Sequence, residues 1–188
     1  MRSPIVLLAT ALLALLLAAC ASNPVIRADY DRAADFSRYR SYGFLAPLGT
    51  DKPGYRSLLT ERLSRATRAQ LDARGYVYAA SAPDLLVNFI ARLDERIEVM
   101  PAAPYYGYGS YYRMWPGYGW GSDVYQYTEG TLNVDLIDAR TRQVVWEGVS
   151  VGEVRSVPES TSQEAIDHVV GEMFARYPFR AGSAAVAQ

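Results

Sequence analysis

The sequence feature that most constrains the fold is a stretch of alternating residues from Leu85 to Val99. Counted at every second position, seven of its eight residues are apolar, and the exception is Glu95. A period of two is typical of a β-strand with one buried face. The stretch therefore predicts a long strand on the core, with Glu95 either at the rim of the sheet or at a local bulge.

Further strands are predicted on both sides of this stretch. A second long strand covers 124–137, and its alternation changes phase near Gly130, where we expect a β-bulge. The turn at 138–141 leads into a third strand at 144–154, which predicts an antiparallel hairpin. Short strands are also predicted at 27–30, 41–45 and 76–78.

Two amphipathic helices are predicted from apolar residues that recur every three or four positions. The first runs from Tyr55 to Arg74 and ends at Gly75. The second follows Pro158, begins at a capping box of Thr161 and Glu164, and is stopped by Pro178. Together these elements predict an α+β fold, an antiparallel β-sheet with both helices packed on one face as a two-layer sandwich.

The N-terminus has the pattern of an export signal. Arg2 precedes an apolar run from Ile5 to Leu17, and small residues lead to Cys20. The run has 13 residues, fewer than the roughly 20 that span a bilayer as a helix, and no later run is as long as a span requires. Residues 1–19 are therefore predicted to be a lipoprotein signal peptide.

The four residues Leu17-Ala18-Ala19-Cys20 resemble the bacterial lipobox, which implies that Cys20 is acylated and becomes the first residue of the mature protein. The alternative is that Cys20 merely ends an ordinary signal peptide. Because Cys20 is the only cysteine, the chain builds no disulfide and no thiolate metal site. By resemblance to the lipoprotein sorting rule, Ala21 and Ser22 favour the outer membrane over the inner membrane.

The mature chain is predicted to be one domain on a short tether. Removing 19 residues from 188 leaves 169, enough to bury a core. Residues 20–26 form the lipidated cysteine and tether, 27–180 a single α+β domain, and 181–188 a flexible tail. The formal net charge of the full chain is −1, so nothing in the charge balance indicates nucleic acid as a partner.

The segment 101–121 between the two long strands has an unusual composition. It contains six tyrosines, two tryptophans and five glycines, with Arg113 as its one charge. Such a ring-rich loop is suited to stacking on glycans, to a lipid interface, or to docking another envelope protein. The alternative is a variable loop whose rings pack loosely on the domain. The candidate binding residues are Tyr105, Tyr106, Tyr108, Tyr111, Tyr112, Trp115, Tyr118 and Trp120.

Few kinds of enzyme are compatible with this composition. His168 is the only histidine, and it lies on the second predicted helix between Glu164 and Glu172, away from the apolar stripe, which indicates an exposed polar face. We therefore expect no Ser-His-Asp triad, no Cys-His pair with the lipidated Cys20 and no multi-histidine zinc site, and no cofactor or metal. Two groups of carboxylates could still serve a glycan hydrolase, Asp94, Glu95 and Glu98 in the first and Asp135 and Asp138 in the second. Because Arg92 and Arg96 stand among the first group, cross-strand ion pairs explain these carboxylates better than catalysis does.

Several short motifs, in this order, resemble the bacterial lipoprotein family called domain of unknown function 4136. The resemblance covers nearly the whole mature chain and implies a periplasm-facing lipoprotein of α+β fold, but it carries no activity and no site residues. The motifs are Tyr39, Tyr42-Gly43-Phe44, Arg74-Gly75-Tyr76, Pro83-Asp84-Leu85-Leu86-Val87-Asn88-Phe89, Tyr127-Thr128-Glu129-Gly130-Thr131-Leu132 and Trp146-Glu147-Gly148.

These observations predict a lipoprotein held by Cys20 on the outer membrane and facing the periplasm. Its domain is expected to be a binding or structural module rather than an enzyme. Its expected partners are the membrane, reached through the lipid, and another envelope protein or glycan, reached through 101–121. A carboxylate-dependent hydrolase of envelope glycans is the alternative.

Overall fold

A computed structural model describes residues 24–100 and 123–183, without the side chains of 98–100, 123 and 124. The predicted signal peptide, Cys20 and the eight aromatic candidates of 101–121 lie outside the described residues. Within these limits, no helix is long and apolar enough to cross a membrane.

Six strands form one open sheet in the order β1-β6-β5-β4-β2-β3. Strands β4 and β5 are the longest, with sixteen residues each, and they pair along their whole length. The strands are β1 (Val25–Tyr30), β2 (Ser41–Phe44), β3 (Val77–Tyr78), β4 (Leu85–Met100), β5 (Asp123–Asp138) and β6 (Val144–Glu153).

Three helices accompany the sheet: α1 (Leu58–Asp72), the single turn α2 (Val157–Ser160) and α3 (Gln163–Phe174). Helix α1 begins at Ser57, whose side chain accepts a hydrogen bond from the Thr60 N–H. It is closed by Gly75, which adopts φ +85°, the left-handed conformation that glycine tolerates best.

The predicted α+β class is confirmed, with both long helices on one face of the sheet. The prediction that the sheet is antiparallel holds for β1, β6, β5 and β4 but not for β2, which runs parallel to both β3 and β4. The parallel pair β2 and β3 needs a crossover, and α1 supplies it. A strand, a helix and a strand in succession is the sequence signal for this unit.

Two local predictions were wrong. The register of β4 and β5 is unbroken at Gly130, and the sheet irregularity lies instead between Leu136 and Ile137 in the pairing of β5 with β6. The α3 cap is also displaced by one residue, because Ser162 accepts the hydrogen bond from the Ala165 N–H. Thr161, the residue after α2, instead donates its hydroxyl to the carbonyl of Val157, the first residue of α2.

The core lies between the helices and the sheet face formed by the even positions of β5. Val134, Leu136 and Trp146 come from the sheet, and Val170 and Phe174 come from α3. All five side chains are fully buried.

A second group of aromatic residues joins the segment that follows α3 to this core. The rings of Phe36 and Phe179 stack with their centroids 3.5 Å apart, and the hydroxyls of Tyr76 and Tyr177 are 2.8 Å apart. The residues that follow α3 therefore belong to the folded domain.

The domain extends slightly beyond its predicted limits. Val25 and Ile26, assigned above to the tether, pair with β6 as the first residues of β1. At the other end, the N–H groups of Ala181 and Gly182 donate to the carbonyls of Arg74 and Tyr39, so the first residues of the predicted tail are held on the domain.

Candidate functional site

Strands β4 and β5 extend past the rest of the sheet. Beyond Glu129, which faces Glu153 at the end of β6, residues 95–100 and 123–128 continue as a two-stranded ribbon. The ribbon is connected to the β6 side by a backbone hydrogen bond from the Val154 N–H to the Thr128 carbonyl, and by the Tyr125 hydroxyl, which lies 3.5 Å from a carboxylate oxygen of Glu153. We call these two segments the β4–β5 arm. They bring the two ends of segment 101–122 to neighbouring backbone positions, Met100 opposite Asp123.

Among the described residues, no helix covers the arm, although its alternation continues that of the core strand. Leu85, Val87 and Phe89 are buried, whereas Leu93 is 56% exposed and Ile97 is 65% exposed on the same face. Glu95 lies between them and is exposed to solvent. It is therefore at the rim of the sheet, which is one of the two predicted alternatives. Alternation in the sequence shows which face a residue occupies, but it does not show where the covering helices end.

The other face of the arm carries aromatic and charged residues. Tyr125, 49% exposed, stacks on Tyr127 with the ring centroids 5.7 Å apart. Arg96 donates two hydrogen bonds, of 2.8 and 3.0 Å, to one carboxylate oxygen of Glu129, and these contacts raise the pKa of Arg96. Arg96 therefore forms a cross-strand ion pair, but its acidic partner is Glu129 rather than one of the carboxylates Asp94, Glu95 and Glu98 for which such pairs were predicted.

The candidate catalytic carboxylates are not brought together. Asp94 and Glu95 are exposed and lie on opposite faces, as successive strand residues must. Asp135 pairs with Asn88 of β4. Asn88 is six residues from Asp94 on the same strand, which places Asp135 about 20 Å from Asp94. Glycosidase carboxyl pairs are about 5–10 Å apart. The side chain of Glu98 lies outside the described residues.

Asp138 is buried at the turn between β5 and β6, where it orders the backbone. One carboxylate oxygen accepts the N–H groups of Arg140 and Thr141, and the other accepts the Tyr39 hydroxyl at 2.9 Å. Burial is the largest single influence and acts to raise the pKa of Asp138, but the hydrogen bonds together hold it below its ordinary value. In Tyr39, burial and the Asp138 contact raise the pKa to about 12.

Asp135 lies on the face of the sheet opposite the helices and has the reverse electrostatics. Burial raises the pKa of Asp135, and the negative charge of Glu147, the paired residue on β6, raises it further. A hydrogen bond from Asn88 acts in the opposite direction and lowers the pKa. Asn133 in turn donates to Glu147. Sequence reasoning missed this cross-strand row of amides and carboxylates. The pattern that could have predicted it is the presence of polar residues at outward-facing positions of the three strands β4, β5 and β6.

The single histidine is exposed on α3, as its place away from the apolar stripe predicts. Within the residues that the structure describes, no group of three His, Cys, Asp or Glu side chains is placed to hold a metal ion.

An open groove of about 600 Å³ lies at the base of the arm, between the sheet and the helices. Its volume falls in the range of about 300–1,000 Å³ that is usual for ligand pockets. Leu93 and Leu132 line it from the sheet, Leu59 from α1, and Ile166 and Val169 from α3. The groove therefore has apolar walls on three sides.

The lining of the groove also includes polar residues. They are Thr50, Asp51, Lys52, Ser57, Arg92, Thr131, Ser150, Glu153, Ser160 and Thr161. One carboxylate oxygen of Asp51 accepts the Leu48 N–H at 3.0 Å, while the other is buried without a hydrogen-bond partner among the described residues.

Two glycines form part of the groove floor. Gly130 and Gly152 face each other across β5 and β6. A Cβ at Gly130 would lie 2.5 Å from Val154 Cγ2, and one at Gly152 would lie 3.0 Å from Pro24 Cβ. Sequence reasoning missed the groove, although glycines inside strands signal the close approach of another part of the chain.

Comparison with known proteins identifies relatives of the fold. The family model described as "Domain of unknown function (DUF4136)" matches residues 26–179. The crystal structure of a DUF4136 family protein from Bacteroides thetaiotaomicron is 17% identical, with a TM-score of 0.54, over 87% of this chain and 100% of that one.

A second solved structure, a PDZ domain protein from Parabacteroides distasonis, is 14% identical with a TM-score of 0.53. The match covers 82% of this chain and 35% of that one, so this chain spans about a third of that protein's length. Both likenesses concern the fold alone. Among curated proteins, none matches the chain significantly.

Proposed function

This chain belongs to the DUF4136 family, and from that premise we propose that it is a lipoprotein of the outer membrane, held by lipid on Cys20 and facing the periplasm. We propose further that its domain is a binding module whose recognition element is the β4–β5 arm. The observation that carries this proposal is that the two-stranded ribbon exposes apolar side chains on both of its faces, Ile97 on one and Tyr125 on the other.

The physical argument begins with the stability of the ribbon. An isolated two-stranded hairpin is marginal in water. The arm nevertheless continues the full pairing of β4 with β5 while exposing Ile97 and Tyr125. Ile97 is exposed on one face of the arm and Tyr125 on the other, and a ribbon with apolar side chains exposed on both faces offers a surface that a partner can cover. A partner that covers the arm would remove this surface from water, and we propose that the partner is another envelope protein.

The aromatic segment supports the same location for binding. The arm ends at the segment that contains the eight tyrosine and tryptophan candidates. We propose that these residues extend the recognition element.

The test compares two exposed apolar positions at different ends of the molecule. Ile97→Asp on the arm and Val144→Asp at the start of β6, where the side chain is 49% exposed, leave the core untouched. Each tagged variant is used to recover proteins from solubilised cell envelopes. We expect Ile97→Asp, and deletion of Tyr105 to Trp120, to reduce recovery of the partner at least tenfold, while Val144→Asp retains it. Equal recovery by all variants would refute the proposal.

A glycan is the second candidate partner, and the stacked Tyr125 and Tyr127 favour it, because exposed aromatic faces pack against sugar rings. In a sedimentation assay with purified peptidoglycan, Tyr125→Ala then loses binding. Tyr55→Ala, which removes an exposed ring outside the arm, keeps it.

A non-catalytic role is also part of the proposal. Asp94 lies about 20 Å along β4 from Asn88, the residue that pairs with Asp135. This distance supports a non-catalytic role, because a glycan hydrolase needs its two carboxyl groups close together. Turnover of purified envelope glycans that is lost in Asp94→Asn or Glu95→Gln would instead establish the hydrolase alternative.

A further inference from the structure

The groove at the base of the arm has the chemistry of a site for a flexible apolar chain. The groove is lined by aliphatic side chains together with polar residues, and it is open to solvent. A hydrocarbon chain that carries a polar end group matches such a mixed lining, with Lys52 as a donor for ester oxygens.

The N-terminal end of the described chain lies at this groove. Pro24 is one of the lining residues and packs against Gly152, immediately before β1 begins at Val25. Cys20 is four residues earlier in the sequence. Four extended residues reach at most about 14 Å, so any group attached to Cys20 stays close to the groove.

We propose that the groove binds one acyl chain of the lipid carried by Cys20. The inference rests on the proposed lipidation of Cys20 and adds a site for the lipid within the protein. A short tether makes the binding intramolecular, so the local concentration of the attached chain is far above that of any free lipid. A lipoprotein carries several chains, and those that remain outside the groove keep the anchor in the membrane.

The exchange between bilayer and groove costs little. A hydrocarbon chain leaves water equally well by entering a bilayer or an aliphatic groove, because the driving force follows the apolar area removed from water. The occupant would also cover Leu93, which is otherwise half exposed at the groove floor.

The test uses the intact lipoprotein in living cells. Cells are grown with a fatty acid that carries a photoreactive diazirine, which is incorporated into lipoprotein and phospholipid alike. After illumination the protein is extracted and digested, and cross-linked peptides are identified by mass spectrometry. We expect the peptide containing Cys20 to be joined through its acyl chain to peptides containing Leu132 or Val169.

An exposed apolar position outside the groove provides the matched control. Leu93→Asp places a charge in the groove, and Val144→Asp places the same charge at the start of β6, outside the groove lining. We expect Leu93→Asp to reduce the intramolecular cross-link at least fivefold and Val144→Asp to leave it unchanged.

The other outcomes overturn the inference in distinguishable ways. Groove peptides cross-linked to phospholipid would assign the groove to a membrane lipid instead. An acylated Cys20 peptide without any cross-link to the groove would show that the groove does not hold the anchor. A Cys20 peptide without acyl mass would refute the proposed lipidation itself. Equal cross-linking in both variants would remove the groove as the binding site.

Discussion

At the scale of residues, two aspartates of β5 show how the same side chain acquires opposite roles. Asp138 is buried but receives three hydrogen bonds, so its charged form is favoured. Asp135 is buried opposite the like charge of Glu147 and receives one hydrogen bond, so its neutral form is favoured. Opposite pH dependences of stability follow from these surroundings.

For Asp138 we expect Asp138→Asn to destabilise the domain at pH 7 by about 1–3 kcal/mol, the cost of hydrogen bonds lost at a buried group. Because its folded pKa is lowered, the wild-type carboxylate contributes stability above its unfolded pKa of about 4, and this contribution is lost as the pH falls through the folded pKa. Denaturant unfolding at pH 7 and pH 3 measures the difference in free energy of unfolding between the wild type and Asp138→Asn. We expect this difference to be smaller at pH 3. A constant difference would contradict the account.

Asp135→Asn has the opposite expectation. Because the folded pKa of Asp135 is raised, its favourable contribution is complete below the unfolded pKa and is lost as the pH rises through the folded pKa. At pH 7 the amide removes a like-charge contact with Glu147, so the variant should unfold at a higher denaturant concentration, with a gain of roughly 0.2–1 kcal/mol. The gain should shrink at pH 3. A loss of stability at pH 7 would show that the charge of Asp135 is used by the fold.

At the scale of elements, Gly148 and Gly171 differ in the space that a side chain would have. Substituting each of them therefore distinguishes the effect of close packing from that of helix propensity. A Cβ at Gly148 on β6 would lie 2.6 Å from Cη2 of the buried Trp146 and 3.1 Å from Met173 Cβ. Gly171 on α3 has only the flexible end of Gln70 within 4 Å, at 3.7 Å. The first position has no room for a methyl group, and the second has.

We therefore expect Gly148→Ala to cost about 1–3 kcal/mol, as overpacking of a core does. Gly171→Ala should stabilise the domain by roughly 0.5–1 kcal/mol, because alanine loses less backbone entropy inside a helix. Thermal unfolding of both variants at one pH gives the comparison. Stabilisation by both substitutions would mean that the indole of Trp146 moves freely aside.

The elements also show how far the sequence determines the fold. Local patterns place nearly every helix and strand, because alternation and helical spacing directly reflect which side chains meet the core. The parallel position of β2 and the register shift at Leu136 depend on how distant strands meet, which no local pattern contains. The groove depends on where the helical layer ends over β4, and this is set by the packing of α1 and α3.

At the scale of the whole molecule, Pro24, the groove and the arm lie at one end of the domain. Val25, at the start of β1, faces Val151 near the end of β6, and the arm begins just beyond the end of β6. Under the proposed lipidation of Cys20, four residues earlier than Pro24, this end would be held towards the membrane and the opposite end, with the turn at Asp138, would face away.

The most direct test of this account is the mass of the N-terminal peptide of the protein extracted from purified outer membranes. We predict a peptide that begins at Cys20 and carries the mass of a diacylglyceryl group with a further acyl chain. A peptide that begins at another residue, or an unmodified Cys20, would contradict the account.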